Sequence, residues 1–193
     1  MKLSRAEVTA LRTWTADAVP LAGTYFRSVE FRFMDPDEVL SGTGAARIGG
    51  RFAPVGTKAV YLSETDTGTG LEVAAHKDRL GGSALITTEK YPRIVFGVTV
   101  RLRRVLDISA ESIPAAIAAL RTRCLDPADL APSMDVAEVL LNSRVQGLVF
   151  PSTAGGDKNL VVYLAHCDAG DLRVQNAPAL VAKATRMAAK RRR

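Results

Sequence analysis

Two arginines on glycine-rich backbone, a glutamate at the head of a helical stretch and a serine in a second glycine-bearing loop are the residues here that could do chemistry. Residues 42–64 read GTGAARIGGRFAPVGTKAVYLSE, so Arg47 and Arg51 flank Gly49 and Gly50 ahead of an apolar run through Tyr61. Glycines let a backbone approach a ligand closely, and an arginine held there can grip a phosphate with two parallel hydrogen bonds. The glycines fall at 42, 44, 49 and 50, which is not GxGxxG, and no GKS or GKT follows, so the loop carries neither a dinucleotide fingerprint nor a Walker motif. A glycine-rich surface turn with solvated arginines accounts for the same residues.

Glu72, in TGTGLEVAAH, reads first as a first-turn carboxylate favoured by the helix dipole. Its neighbour His76, four residues on, could share a helix face and suggests a metal pair. A third ligand is wanting, since His166 is the other histidine and no HExxH or cysteine-rich pattern occurs, so no metal is expected. Ser152 lies outside any GxSxG and has no distinctive histidine partner, which argues against a Ser-His-Asp hydrolase; by itself it reads as a loop cap. Cys124 and Cys167 lack CxxC spacing and read as reduced structural thiols.

The elements that must position these groups follow from local patterns. Ser4 and Glu7 have capping-box spacing, and Val8, Leu11, Trp14 and Ala18 recur at helical intervals, predicting a helix over 5–18 that stops at Pro20. GTYFRSVEFRF, around Arg27, and Ala59 to Leu62, with Tyr61, predict strands, and Leu71 to Leu80 a helix. Ile94, Phe96, Val98, Val100 and Leu102 alternate strictly and predict a strand half-buried on one face. Residues 112–123 and 134–144 read as helices, each preceded by a Ser or Asp capping candidate. VQGLVF and LVVYLA then read as strands around the loop PSTAGGDKN, which holds Ser152, Gly155, Gly156 and Asn159, and a last helix is expected from Pro178. The strands come in clusters rather than in βαβ alternation, so the expectation is one α+β domain with a mixed or antiparallel β core flanked by helices. Its parts are an N-terminal helix over 1–20, a central unit over 21–170, and a C-terminal helix and basic tail over 171–193.

At 193 residues, 47% hydrophobic and 24% charged, the chain can bury one real core. No apolar run has the length of a membrane span and no secretory leader is evident, so the expected location is the cytoplasm. The net charge of +6 sits in the tail: residues 183–193 hold six basic side chains and no acid, leaving 20 basic and 20 acidic residues elsewhere. A neutral body with 6% aromatics is a poor nucleic-acid surface, so direct binding of nucleic acid is not expected. The tail reads as a solvated end or as a docking strip for an acidic partner or DNA, which keeps a binding module open as the alternative function.

Taken in order, YFR at Arg27, GTGAARIGGRF to Arg51, AVYLSE with Tyr61, GLEVAAH with Glu72, and LVFPST with GGDKNLVVYL resemble the RES domain family, named for its arginine, glutamate and serine. The resemblance covers roughly residues 21–166. It implies an ADP-ribosyltransferase-like fold and a toxin, usually encoded beside an Xre-like helix-turn-helix antitoxin, that consumes NAD as a substrate by breaking its nicotinamide–ribose bond. The ADP-ribose then goes to water, phosphate or a protein. Carried over position by position, the family arginine is Arg27 or Arg51, the glutamate Glu72 and the serine Ser152. Where members commonly read GGRWN, this chain has Arg51-Phe52-Ala53, so a polar role of that asparagine is in doubt and a fold retained without catalysis stays open.

Nicotinamide leaves as a neutral ring and needs no general acid, so one carboxylate suffices for an oxocarbenium-like transition state. In that scheme Glu72 steadies the cation, Arg27 and Arg51 hold the pyrophosphate, with Arg47 and the Gly50 backbone near it, Tyr61 offers a flat face, and Ser152 and Asn159 orient ribose or amide.

Overall fold

The spacing of Ser4 and Glu7 closes into the capping box it predicts: the Ser4 hydroxyl accepts the Glu7 N–H at 3.2 Å and the Glu7 carboxylate accepts the Ser4 N–H at 2.7 Å. From this cap α1 (Arg5–Trp14) buries Leu11 and Trp14, and a 3-10 turn (Thr15–Asp17) completes the expected helical stretch. The computed structural model describes residues 2–30, 33, 35–69, 93–175, 178 and 182. The helix expected over Leu71 to Leu80, with Glu72 and His76, and the basic tail therefore lie outside the described residues. Of the last expected helix, Pro178 and Ala182 are described, and both are helical.

Among the described residues six strands make one mixed sheet: β1 (Val19–Glu30), β2 (Ala59–Ser63), β3 (Arg93–Asp107), β4 (Gly147–Pro151), β5 (Lys158–Tyr163) and β6 (Leu172–Val174), in the order β1-β2-β5-β4-β3-β6. β3 and β4 run parallel and the other pairs antiparallel. At 15 residues, β3 extends past the alternating stretch and has three strand partners, β1, β4 and β6. It pairs with β1 from Val19↔Val105 to Glu30↔Arg93, and its end pairs with β4. Because β1 also touches β2, the circuit of strands closes on itself, which hides sheet edges.

Closure gives the sheet an inside and an outside, and the period of two sorts the side chains between them. Val98, Val100 and Leu102 of β3 meet Val60, Leu62, Leu160 and Val162 on the inside. Val161 and Tyr163, with Leu148 and Phe150, point outward and pack under α1 and two further helices. Those helices, α4 (Ala115–Leu125) and α5 (Ala131–Asn142), lack the expected side-chain caps: Pro114 and Leu130 stand at the N-cap positions. The Pro114 carbonyl accepts the Ile117 and Ala118 N–H groups, and the Asp129 carboxylate takes that of Ala131 at 3.0 Å, so the first turns are satisfied otherwise.

After the short helix α2 (Pro36–Val39), the glycine-rich segment expected as a loop instead folds part of its length into α3 (Thr43–Ile48). The glycines are its punctuation. Gly42 at φ 66° starts the helix and Gly49 at φ 76° ends it, conformations that side chains with a Cβ rarely adopt.

Candidate functional site

Residues 50–53 form a tight turn in which Gly50 and Ala53 exchange both backbone hydrogen bonds, at 2.8 and 3.1 Å. Phe52, wholly buried, is held there by two tyrosines from adjacent strands. Its N–H donates to the Tyr61 hydroxyl at 3.2 Å, and its carbonyl accepts the Tyr163 hydroxyl at 3.0 Å. Gly50 has a packing reason to be glycine: a Cβ there would sit 2.4 Å from the Tyr61 hydroxyl oxygen. Burial pushes both phenol pKa values up, so the tyrosines stay neutral; for Tyr61 the Phe52 N–H and the Arg51 charge act the other way.

The arginines of this region part ways. Arg51 turns its guanidinium to the C-terminus of α4, where Nη1 donates to the carbonyls of Cys124 at 2.7 Å and Asp126 at 3.1 Å. A cation on the last carbonyls of a helix also suits its dipole. Arg47 lies exposed in the last turn of α3. Arg27, on β1, is half-buried, with its Nε wholly buried. β1 and β2 pair only at Phe26↔Ser63, and in the gap beside that contact Arg27 donates from Nη1 to the Tyr61 carbonyl at 2.9 Å. Its Nε is buried without a partner, and among the described residues no carboxylate pairs with it. Loss of solvent, reinforced by the like charge of Arg93, draws its pKa down to about 10, the mark of a cation held where charge is costly. Arg93 itself grips Ser28, from Nε to Oγ and from Nη2 to the carbonyl, both at 2.8 Å.

One residue past Leu62, the buried Ser63 hydroxyl donates to the Asn159 side-chain oxygen at 2.9 Å, across the register pair that joins β2 to β5. Ser152 opens the β4–β5 hairpin loop. Its N–H donates to the Asp157 carbonyl at 2.8 Å and its hydroxyl accepts the Ala154 N–H at 3.1 Å, so it caps the loop as its sequence context predicts. The same loop reaches the chain after β2: Asp157 accepts the Thr65 hydroxyl at 2.6 Å, and Thr65 in turn accepts the Gly68 N–H at 2.9 Å. Residues 66–69 are helical, and the described chain stops at Thr69, three residues short of Glu72.

Arg27 is thus joined to the backbone of β2 at Tyr61, Asn159 pairs with Ser63 at the end of β2, and the Ser152 loop is tied to the segment that leads to Glu72. Arg51 shares the neighbourhood through its backbone but directs its charge elsewhere. Ser63 and Tyr163 carry much of the positioning and went unnoticed in the sequence. The period of two was the available signal, since it sets Tyr61 and Ser63 on one face of β2. Chemically, the region offers a desolvated cation on the inner face of the strands, and on the Tyr61 and Asn159 face an aromatic ring and neutral hydrogen-bonding groups. No group of three or more metal-ligating side chains gathers among the described residues.

Comparisons with known proteins bear on the fold and the family. In structure the chain is similar to a chain of the M. tuberculosis MbcT-MbcA toxin-antitoxin complex, with a TM-score of 0.73 and 22% identity over 93% of this chain and 98% of that one. That likeness establishes the α+β fold. No curated protein matches. The model of the RES domain matches residues 25–185, spanning every candidate residue from Arg27 to Asn159, and this chain belongs to the RES domain family.

Proposed function

We propose that this protein is the toxin of a toxin-antitoxin pair, an enzyme that cleaves the nicotinamide–ribose bond of NAD and passes ADP-ribose to a protein, water or phosphate. Family membership supports the class. The observation on this chain that carries it is Arg27, a half-buried arginine whose buried Nε has no partner and which has no carboxylate opposite it among the described residues. A buried, unpaired charge is costly, and the pyrophosphate of a bound dinucleotide supplies the missing counter-charge. Tyr61, whose carbonyl orients Arg27, presents the flat face. Glu72 supplies the carboxylate beside the ribose, and Ser152 and Asn159 the groups that orient it. Arg27 is therefore the family arginine in this reading; Arg47 is available at the rim, and Arg51 acts from a distance by fixing the turn that seats Phe52 against Tyr61.

An enzyme that drains NAD or modifies a protein needs restraint, so the partner is an antitoxin of the Xre-like helix-turn-helix kind, acting in the cytoplasm. The fold-level likeness to a chain from a toxin-antitoxin complex supports such a partner. The test is incubation of the purified protein with NAD, with and without phosphate and with cell extract, following nicotinamide and ADP-ribose. Nicotinamide release, lowered about 100- to 1000-fold by Glu72→Ala, is the expected result. The form of the ADP-ribose identifies the acceptor. Release unchanged in that variant removes Glu72 from the mechanism, and no release from antitoxin-free protein under any condition refutes the enzyme and favours a binding module.

A further inference from the structure

Asn159 is the second residue of β5 and Leu164 follows its end, so at about 3.3 Å per residue the turn Leu164–His166 lies roughly 15 Å from the Ser63 and Asn159 pair. At that far end is a cavity of about 580 Å³ whose lining includes Arg103, Arg104, Arg144, Gln146, His166 and Asp168. Three exposed arginines are among its lining residues. Among the described residues, the one carboxylate that pairs with any of them is Asp168, with Arg103. Arg104 donates from Nη2 to the Thr15 carbonyl at 3.0 Å.

The cavity has a built floor. Gln146, 3% exposed, accepts the N–H groups of Arg103 at 2.6 Å and Arg104 at 3.2 Å through its oxygen. Its amide nitrogen donates to the His166 carbonyl at 3.0 Å and to the Asp171 carboxylate at 2.8 Å. One side chain thus ties the strand that carries two arginines to the turn that carries the histidine. The His166 Nε2 is buried and has no partner. Arg144 has φ 54°, the left-handed conformation that ends α5: its N–H donates to the Leu141 carbonyl at 3.1 Å and that of Val145 to the Leu140 carbonyl at 3.0 Å, which leaves the Arg144 side chain at the cavity.

We propose that this cavity binds a small ligand bearing a diphosphate or triphosphate group, at a site separate from the one that would hold NAD. A volume of this size is that of a small-molecule pocket rather than of a stripe along which an acidic peptide would lie. Guanidiniums match phosphate oxygens two at a time, and His166 adds a nitrogen that can donate or accept.

The proposal stands apart from NAD cleavage, and calorimetric titration of the full chain with pyrophosphate, ADP and a glutamate-rich peptide tests it. The Arg144-dependent binding of pyrophosphate is expected to persist with unchanged Kd in Arg27→Ala, which separates this site from the NAD site. Arg144→Gly, which removes the charge and relieves the backbone, should weaken binding about tenfold or more without lowering Tm, and Arg103→Gln should weaken it with no change of backbone. ADP binding better than pyrophosphate or equally well, with the same dependence on Arg144, supports the site and tells a nucleotide from a bare polyphosphate. Binding that is lost in Arg27→Ala but kept in Arg144→Gly, binding of the peptide alone, or no binding of pyrophosphate at millimolar concentration overturns it.

Discussion

Gly50→Ala tests whether the glycine-rich turn serves the protein or a ligand. The new Cβ would stand 2.4 Å from the Tyr61 hydroxyl oxygen, 2.8 Å from Cζ and 2.9 Å from Cε2, closer than such contacts occur. The ring cannot yield freely, because its hydroxyl accepts the Phe52 N–H and its body packs against the outer core. Forcing it aside costs about 1–3 kcal/mol as overpacking, and losing the Phe52 bond about 1 kcal/mol more, so the destabilisation should be about 2–4 kcal/mol. For a domain of this length that lowers Tm by roughly 4–16 °C. A double-mutant cycle with Tyr61→Phe sharpens the test, since removing the hydroxyl abolishes both the shortest contact and the hydrogen bond. The bond is then lost once rather than twice, so the double variant should be more stable than additivity predicts by about 1 kcal/mol. Urea unfolding of the four proteins measures it. Additivity within about 0.5 kcal/mol, or unchanged stability with a raised KM for NAD, refutes the packing account and returns Gly50 to a ligand's backbone.

Arg51→Ala removes the donors on the Cys124 and Asp126 carbonyls and should cost about 1–2 kcal/mol of stability with little change in KM; a raised KM at an unchanged urea midpoint would show that Arg51 binds NAD. Arg27→Met removes a half-buried unpaired charge, so the urea midpoint should not fall while kcat/KM drops about 10- to 100-fold, and the reverse pattern would make Arg27 a structural residue. The Ser4 backbone and hydroxyl, helped by Arg123, hold the Glu7 carboxyl below its ordinary value of 4.5. A depressed folded-state pKa gives stability that is present above that value and is lost as pH falls through the folded one. Urea midpoints should therefore decline less steeply below about pH 4.5 in Glu7→Gln, and identical slopes would refute the assignment.

What could be read from the sequence was whatever a local pattern encodes. The Ser4 and Glu7 spacing, the alternation from Ile94 to Leu102 and the paired runs around PSTAGGDKN each need only neighbours a few residues away, and each forms as read. The glycine-rich segment misled because glycine marks both loops and helix ends; here Gly42 and Gly49 bracket six helical residues. Nothing local says which arginine is taken up by its own protein. Arg51 meets a carbonyl 73 residues away, whereas Arg27 owes its burial to the gap between β1 and β2, a product of the whole circuit of strands. Tyr163 was hidden for the same reason, since its hydroxyl closes on Phe52 across 111 positions.

The turn from Gly50 to Ala53, which most specifically carries the family resemblance, acts on this structure as a seat rather than a grip. Gly50 admits the Tyr61 hydroxyl, Arg51 fastens the turn to α4, and Phe52 is clamped through both of its backbone groups. Ala53, which stands where the family commonly has asparagine, is wholly buried in the outer apolar cluster and needs no polar partner there. An amide in that place would require its own hydrogen bonds, so alanine is the residue that fits an apolar seat. The seat fixes the Tyr61 ring from one side while the backbone carbonyl of the same residue holds Arg27 on the other. A side chain can therefore vary at position 53 without disturbing the cation, provided the turn still closes on Tyr61.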